Sequence, residues 1–234
     1  MVEPSFRAEP SISLVTDHAV AVRSNDHLFP RATRVDNTHH PRFAAACERH
    51  FGRRLRFADL GCAGGGLVFD FLTRGHQAVG LEGSDYSLVH RRAEWATIPG
   101  FLFTCDIAKP FSLIDRNSME LAKFDVMTAW DVLEHLSEDD LRGLFANIRR
   151  HLRAEGLFVG SIATFHDVVD GVSYHLTVEG AAWWRGFFVD NGFAIEPRAI
   201  FAFEDFCRGT GIGPGDTDFS KSPHLGFHFV ARAA

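Results

Sequence analysis

The feature that most constrains the fold is a strand that ends in a glycine cluster, Asp59-Leu60-Gly61-Cys62-Ala63-Gly64-Gly65-Gly66. A strand is predicted over residues 55–60, and a helix with one apolar face is predicted over residues 65–74. Small residues let the backbone approach a ligand closely. Ligands of open α/β sheets bind outside the carboxyl ends of the strands. The cluster therefore predicts a ligand site at the first strand of an α/β sheet.

Strand and helix patterns alternate as far as residue 163. Further strands are predicted over residues 77–82, 101–106, 124–129 and 157–162. A helix is predicted from Ser84 through about Trp95. Another begins after the cap Ser137 and stops at Gly156. Such alternation predicts a parallel sheet covered by helices on both faces.

The pattern changes after residue 163. A polar loop leads into a helix with Trp183 and Trp184, followed by strands near residues 193–203 and 225–231 with no helix between them. These two strands predict an antiparallel hairpin at the edge of the sheet. The predicted fold class is α/β: a Rossmann-like mixed sheet of about seven strands, mainly parallel, with an antiparallel C-terminal hairpin and helices on both faces.

The first 40 residues differ from the rest, because prolines interrupt them and their apolar residues are scattered. We expect an irregular or partly helical N-terminal arm over residues 1–40 and one domain over residues 41–234, which opens with a short helix over residues 41–50.

Composition narrows the class of protein. The 24 basic and 30 acidic residues give a net charge of −6, which disfavours a protein whose main role is to bind nucleic acid or anionic lipid. The four cysteines form no Cys-x-x-Cys pair, so they favour reduced thiols over a zinc finger. The sequence has no apolar run of about 18 residues and no signal-peptide pattern. We therefore expect a soluble cytoplasmic protein, a monomer or a homodimer.

Acidic residues at successive strand ends identify the ligand. Ala63 breaks the G-x-G-x-x-G dinucleotide fingerprint, and no P-loop string is present. Asp59 suits a ligand with an ammonium or sulfonium group. Glu82, 23 residues later, is placed to accept the ribose hydroxyls, and Asp106 to accept an adenine amino group. An adenosine with a cationic tail is S-adenosylmethionine.

These segments carry a family resemblance. ADLGCAGGG, AVGLEGSDYS, FLFTCDI and FDVMTAWDVLEHL resemble, in order and spacing, the motifs of class I S-adenosylmethionine-dependent methyltransferases over residues 55–163. Ala63 departs from the family's D-x-G-C-G-x-G pattern. The resemblance implies Asp59, Gly61 and Gly65 around the methionine moiety, Glu82 at the ribose, Asp106 with Ile107 at the adenine, and Trp130 along the cofactor. Cys62 and Gly83 complete the predicted cofactor-binding set.

Two histidines are candidate catalytic residues. An alcohol acceptor must lose a proton, and a base within reach accelerates that step by roughly 10²–10⁴-fold. His175, after the fifth strand, is the preferred base; holding its loop by a hydrogen bond is the alternative role. His135, after the fourth strand, is the second candidate, or a scaffold histidine at a helix start. Asp131, Glu134 and both histidines also resemble the metal site of small-RNA 2′-O-methyltransferases, but the prediction includes no metal.

The predicted reaction is methyl transfer to a small-molecule acceptor, at a hydroxyl oxygen of a secondary metabolite, quinone or sugar. Its predicted substrate-binding residues are His39, His166 and Trp184. Two alternatives remain open on the same core: methylation of RNA or another macromolecule, and a non-catalytic module that binds S-adenosylmethionine.

Overall fold

The computed structural model describes residues 9–213 and 215–234. Its strands are β1 (Ile12–Thr16), β2 (Arg56–Leu60), β3 (Gln77–Glu82), β4 (Leu102–Thr104), β5 (Phe111–Asp115), β6 (Phe124–Trp130), β7 (Leu152–Ala163), β8 (Val168–Val169), β9 (Val172–Ser173), β10 (Phe193–Ile195) and β11 (Gly226–Ala233). Its α-helices are α1 (Asn25–Leu28), α2 (Ala32–Val35), α3 (Pro41–Phe51), α4 (Gly66–Thr73), α5 (Tyr86–Val89), α6 (Glu138–His151) and α7 (Ala181–Asp190).

Seven strands form the central sheet in the order β10-β11-β7-β6-β2-β3-β4. The five strands from β7 to β4 run parallel, and β11 lies antiparallel to both β7 and β10. The predicted mixed sheet is therefore confirmed. The chain moves outward from β2 through β3 to β4 and then returns to β6 on the other side of β2. Such a switch point opens a crevice at the carboxyl ends of the strands, where ligands of these sheets bind.

The clearest predicted helix, α6, begins as expected and ends early. The Ser137 side chain accepts a hydrogen bond from the Asp140 amide at 3.3 Å and caps the first turn. The helix ends at His151 rather than near Gly156, because Leu152 is already extended and pairs with Phe124 in the sheet. Gly156 thus lies inside β7.

The long helix predicted after Ser84 is wrong. Only Tyr86–Val89 is α-helical, and a single 3₁₀ turn follows at Ala93–Ala96. Arg91 and Ala93 have φ of 47°, and left-handed residues of this kind interrupt an α-helix.

The N-terminal arm contains a strand that its scattered apolar pattern did not predict. β1 pairs antiparallel with β5, which was also missed, in a separate two-stranded sheet. Ile12 is buried in the main core at this junction. Beyond the strand the arm is partly helical, as expected, with α1 and α2 separated by turns.

The C-terminal part holds an aromatic core. Phe145 of α6 meets Phe158, Phe187, Phe188 and Phe193 edge-on, with ring centroids 4.9–5.9 Å apart. The strand predicted over residues 193–203 is only three residues long, since Pro197 cannot donate to a sheet. Among the described residues, no helix is long and apolar enough to cross a membrane.

Candidate active site

A hollow lies at the switch point of the sheet, bounded by the ends of β2, β3 and β6 on one side and by the arm on the other. Six of the predicted cofactor residues line it: Gly61, Glu82, Gly83, Asp106, Ile107 and Trp130. The arm contributes residues that the sequence analysis did not select, namely Ala21, Ser24, Asp26, Ala32, Thr33 and Asp36. The predicted strand-end residues are therefore gathered around one space.

Glu82 is fixed at the end of β3 by backbone donors. One carboxylate oxygen accepts from the Ala63 amide at 2.7 Å and the other accepts from the Ser84 amide at 3.1 Å. Each oxygen keeps a second lone pair, which suits a pair of vicinal hydroxyls. Burial raises the pKa of Glu82 to about 6, although the two amides oppose this shift. The carboxylate is thus ionised at neutral pH and held by the same loop that borders the hollow.

The glycine cluster approaches the hollow closely. Gly61 has φ of 76°, and a Cβ at this position would lie 2.5 Å from a methyl carbon of Val132. Gly65, at the start of α4, has φ of 90°. Ala63, where the family pattern has glycine, is also left-handed, with φ of 44°. The departure from the pattern therefore strains the backbone by roughly 1–2 kcal/mol but leaves the loop conformation intact.

Asp59, Cys62 and Gly65 lie behind the hollow rather than in its wall. The Asp59 carboxylate is buried and accepts a hydrogen bond from the Thr128 hydroxyl at 2.7 Å. Burial raises the pKa of Asp59 to about 7, against the effect of that hydrogen bond. The site thus has an acid that a neighbouring cation would help to ionise.

The opposite end of the hollow is formed after β4. Asp106 accepts from the Ala108 amide at 3.1 Å through one oxygen, which leaves its other oxygen available. The carbonyl of Ile107 accepts from Asn147 at 3.0 Å, which fixes the turn. Trp130 lines the hollow, and its indole nitrogen is buried without a hydrogen-bond partner.

The arm covers the hollow. The Ala21 amide donates to the Gly83 carbonyl at 2.8 Å, and the Asp106 amide donates to the His18 carbonyl at 2.9 Å. The hollow has a volume of about 140 Å³, below the roughly 300 Å³ of small ligand sites. A second cavity of about 690 Å³, also lined by Ala32 and Asp36, adjoins it under the arm. The arm residues Ala32 and Asp36 thus border both cavities.

Residues 58–158 match the family model of a methyltransferase domain. That stretch includes most of β2, the glycine cluster, β3, β4 and β6, so this part of the chain is similar to a methyltransferase domain. No curated protein matches the sequence of this chain.

Solved structures share the fold of this chain. The glycopeptide N-methyltransferase MtfA in complex with S-adenosyl-L-homocysteine is 18% identical, with a TM-score of 0.57 over 86% of this chain and 93% of its own. The 1,6-didemethyltoxoflavin-N1-methyltransferase of Burkholderia thailandensis is 17% identical, with a TM-score of 0.57 over 90% and 84%. An S-adenosylmethionine-dependent methyltransferase from Clostridium acetobutylicum is 13% identical, with a TM-score of 0.55 over 90% and 96%.

The chemistry of the hollow fits S-adenosylmethionine. Glu82 offers acceptors of the kind that a ribose needs, Asp106 keeps a free oxygen, and buried Asp59 gains from a nearby positive charge. Gly61 lets the Val132 side chain pack directly against the loop, where a Cβ would clash with it.

The two candidate catalytic histidines lie side by side, with ring centroids 4.9 Å apart. His175 is buried, and its Nδ1 donates to the Phe165 carbonyl at 2.5 Å, so its Nε2 carries the lone pair. Burial lowers the pKa of His175, and the neighbouring His135 lowers it further. Burial alone would also lower the pKa of His135, but the carboxylate of Asp26, 2.8 Å from its Nδ1, raises it to about 9. At neutral pH His135 is charged and His175 is neutral.

Glu134 completes this group. It is fully buried, with one oxygen accepting from the Ala163 amide at 2.9 Å and the other unpartnered. Donor atoms of Glu134, His135 and His175 lie within 4.8 Å of one another. This spacing is one that could hold a metal ion. Asp131, the fourth residue considered, accepts from the Ser161 hydroxyl at 2.6 Å. A site without a metal stays a prediction.

The structure separates the three predicted substrate residues. His39 lines the 690 Å³ cavity, and its Nδ1 lies 2.9 Å from Asp70 of α4, which fastens the arm to that helix. His166 lines another cavity, of about 640 Å³, together with His175. Trp184 was a wrong choice: it is 0% exposed and packs in the aromatic core with Phe187, because α7 turns this side chain towards the sheet.

Proposed function

We propose that the protein transfers the methyl group of S-adenosylmethionine to a hydroxyl oxygen of a small-molecule acceptor, with His175 as the base. The observation that supports this proposal is the pair of histidines beside the cofactor hollow, one charged and one neutral. His135 lines the hollow itself, whereas His175 lines the adjoining 640 Å³ cavity. The proposed base thus faces the 640 Å³ cavity, beside the charged histidine of the hollow.

The chain's own residues perform distinct parts of this mechanism. The bound cofactor supplies an electrophilic methyl group on a positively charged sulfur. Glu82 would accept the ribose hydroxyls, Asp106 would accept the adenine amino group, and the charge of Asp59 behind the hollow would attract the positively charged end of the cofactor. His175 Nε2 accepts the hydroxyl proton as the oxygen attacks the methyl carbon and the bond from that carbon to sulfur breaks. His175 thus becomes charged, the acceptor becomes a methyl ether, and neutral S-adenosylhomocysteine leaves. Orienting the reactants in this way supplies several kcal/mol on its own.

The cavity that His175 and His166 share suggests the class of acceptor. The lining residues include carboxylates but no Lys or Arg. They are Ser137, Glu138, Asp139, His166, Ser173, His175, Leu176, Thr177, Val178 and Glu179. A polar, negatively charged wall favours a hydroxylated or cationic acceptor, such as a sugar or an amino sugar, over an apolar quinone. We place the acceptor in this cavity, with His166 at its edge.

A nitrogen acceptor is the second candidate. Two of the structural neighbours are named as N-methyltransferases, and an amine that enters the acidic cavity must also lose a proton before transfer. The four cysteines are free thiols, which supports our proposal of a reducing, cytoplasmic location.

The test has two stages. Calorimetric titration with S-adenosylhomocysteine is expected to show one site per chain. The protein is then incubated with S-adenosylmethionine labelled in its methyl group and with fractionated metabolites, and the labelled product is identified. His175→Asn is expected to lower kcat by roughly 10²–10⁴-fold with unchanged S-adenosylhomocysteine affinity, whereas the exposed control His224→Asn changes neither.

Each alternative gives a distinct result in the same assay. Label in RNA or protein would replace the small-molecule acceptor by a macromolecule. Cofactor binding without turnover on any fraction would indicate a non-catalytic module. An unaltered rate for His175→Asn would remove His175 from the role of base.

A further inference from the structure

The arm supplies a carboxylate to the histidine pair. Asp26 lies in α1, where the Ser24 hydroxyl caps the helix by accepting from the Asp26 amide at 3.2 Å. One oxygen of Asp26 lies 2.8 Å from His135 Nδ1. Asp26 and Ser24 also line the cofactor hollow. A single short segment thus touches the hollow and the residue next to the base.

The same segment is bound to the loop that carries His175. The Asn25 side chain donates to the Ser173 carbonyl at 2.7 Å, and the Tyr174 hydroxyl donates to the Phe29 carbonyl at 2.8 Å. Arg31 forms an ion pair with Asp167. Any displacement of the arm would therefore disturb these contacts and the one from Asp26 to His135 together.

We propose that Asp26 is a positioning residue, which holds His135 charged and oriented while the arm is closed and thereby keeps the neighbouring His175 neutral and aligned. The base is then set for proton transfer only when the arm lies over the hollow. The inference rests on the proposed function for its catalytic meaning, but the linkage between Asp26 and the two imidazoles is independent of it.

The charges that face the pair support this assignment. Asp26, Glu134 and Asp131 all favour the charged form of His135. Asp26 is the one of the three that comes from the arm, and the one with a direct hydrogen bond to the ring. Burial lowers the pKa of His175. Among the charges nearby, His135 lowers this pKa further, whereas Asp167 and Asp26 raise it. Removing Asp26 therefore changes His135 most, and His175 through it.

The experiment follows the imidazole signals of both histidines by NMR as a function of pH in the whole protein. The wild type is expected to show His135 titrating near pH 9 and His175 titrating below the ordinary value for histidine. In Asp26→Asn the His135 midpoint falls. The His175 midpoint rises, because losing the positive charge of His135, which lowers the pKa of His175, outweighs losing the smaller raising effect of Asp26. In Asp26→Glu both midpoints return towards their wild-type values. The control Asp17→Asn, which removes an exposed carboxylate of the same arm, changes neither midpoint.

An unchanged His135 midpoint in Asp26→Asn would overturn the role of Asp26, and an altered His135 with an unchanged His175 would overturn the coupling. Circular dichroism verifies that the variants are folded. Binding of S-adenosylhomocysteine is measured in parallel: its absence in the wild type would defeat the proposed function while the NMR titrations still decide the linkage. Once an acceptor is known, the acidic limb of the kcat profile is expected at higher pH in Asp26→Asn.

Discussion

The role of Glu82 can be tested by removing hydrogen bonds from both the protein and the ligand. Glu82→Gln keeps the size of the side chain but replaces one acceptor oxygen by an amide group. That amide cannot accept from both the Ala63 and Ser84 amides, which now bond to separate oxygens at 2.7 and 3.1 Å. The variant therefore disturbs the loop as well as the ligand contact. A ligand that lacks the ribose hydroxyls separates the two effects.

The expected difference in affinity follows from the two lone pairs of the Glu82 carboxylate that face the hollow. A hydrogen bond to an ionised acceptor contributes roughly 1.5–3 kcal/mol, so two hydroxyls contribute about 3–6 kcal/mol. Wild-type protein is expected to bind adenosine about 10²–10⁴ times more tightly than 2′,3′-dideoxyadenosine. In Glu82→Gln this ratio falls by at least about tenfold, whatever the change in absolute affinity.

Displacement of S-adenosylhomocysteine, followed by calorimetry at pH 8, measures both ligands with both proteins. This pH lies above the value of about 6 for the pKa of Glu82, so the carboxylate is ionised. Asp115→Asn, at the opposite end of the sheet from the hollow, serves as the control. Equal ratios in wild type and Glu82→Gln would show that Glu82 does not contact the ribose, and would refute the orientation of the nucleoside that we propose.

Four further predictions follow from the geometry. Ala63→Gly is expected to raise the free energy of unfolding by about 1 kcal/mol in urea denaturation, because φ of 44° suits glycine better than alanine; an equal or lower value would contradict the strain at this residue. Binding of S-adenosylmethionine, measured by calorimetry, is expected to tighten as pH rises through about 7, since Asp59 must ionise to attract its positive charge; affinity independent of pH between 6 and 8 would exclude Asp59 from that role. The charged His135 is expected to stabilise the fold by about 3 kcal/mol below pH 6.5, a contribution lost as pH rises through about 9; thermal unfolding across that range should show the loss in wild type and a smaller loss in Asp26→Asn. Trp184→Ala is expected to cost roughly 3–5 kcal/mol of stability while leaving the affinity of the folded protein for S-adenosylhomocysteine unchanged, and a selective loss of binding would return Trp184 to the site.

The parallel part of the fold was predictable because each strand and helix there has its own periodic signal. The end of β3 at Glu82 was located correctly, whereas β4 ends at Thr104, two residues before the predicted Asp106. Both residues still line the hollow, since parallel strands bring their carboxyl ends to one edge. The glycine loop was predictable for a similar reason, as its small residues permit a conformation that few others adopt.

The parts of the fold and of the site that were not predicted depend on contacts between residues distant in the sequence. β1 and β5 stabilise each other, and neither has a strong pattern alone. Asp26 was missed because only the folded arm brings it to His135, 109 positions away. Trp184 was misassigned since helical spacing does not reveal which face of α7 is buried.

The antiparallel strand β11 also constrains the order in which the molecule assembles. β10 precedes it in the chain but pairs with no other strand of the described sheet. Until residues 226–233 dock against β7, β10 has no partner, and Phe229 is missing from its contacts with Phe158 and Phe188. Refolding is therefore expected to pass through a stage with this aromatic cluster uncovered, when the protein is most prone to aggregate.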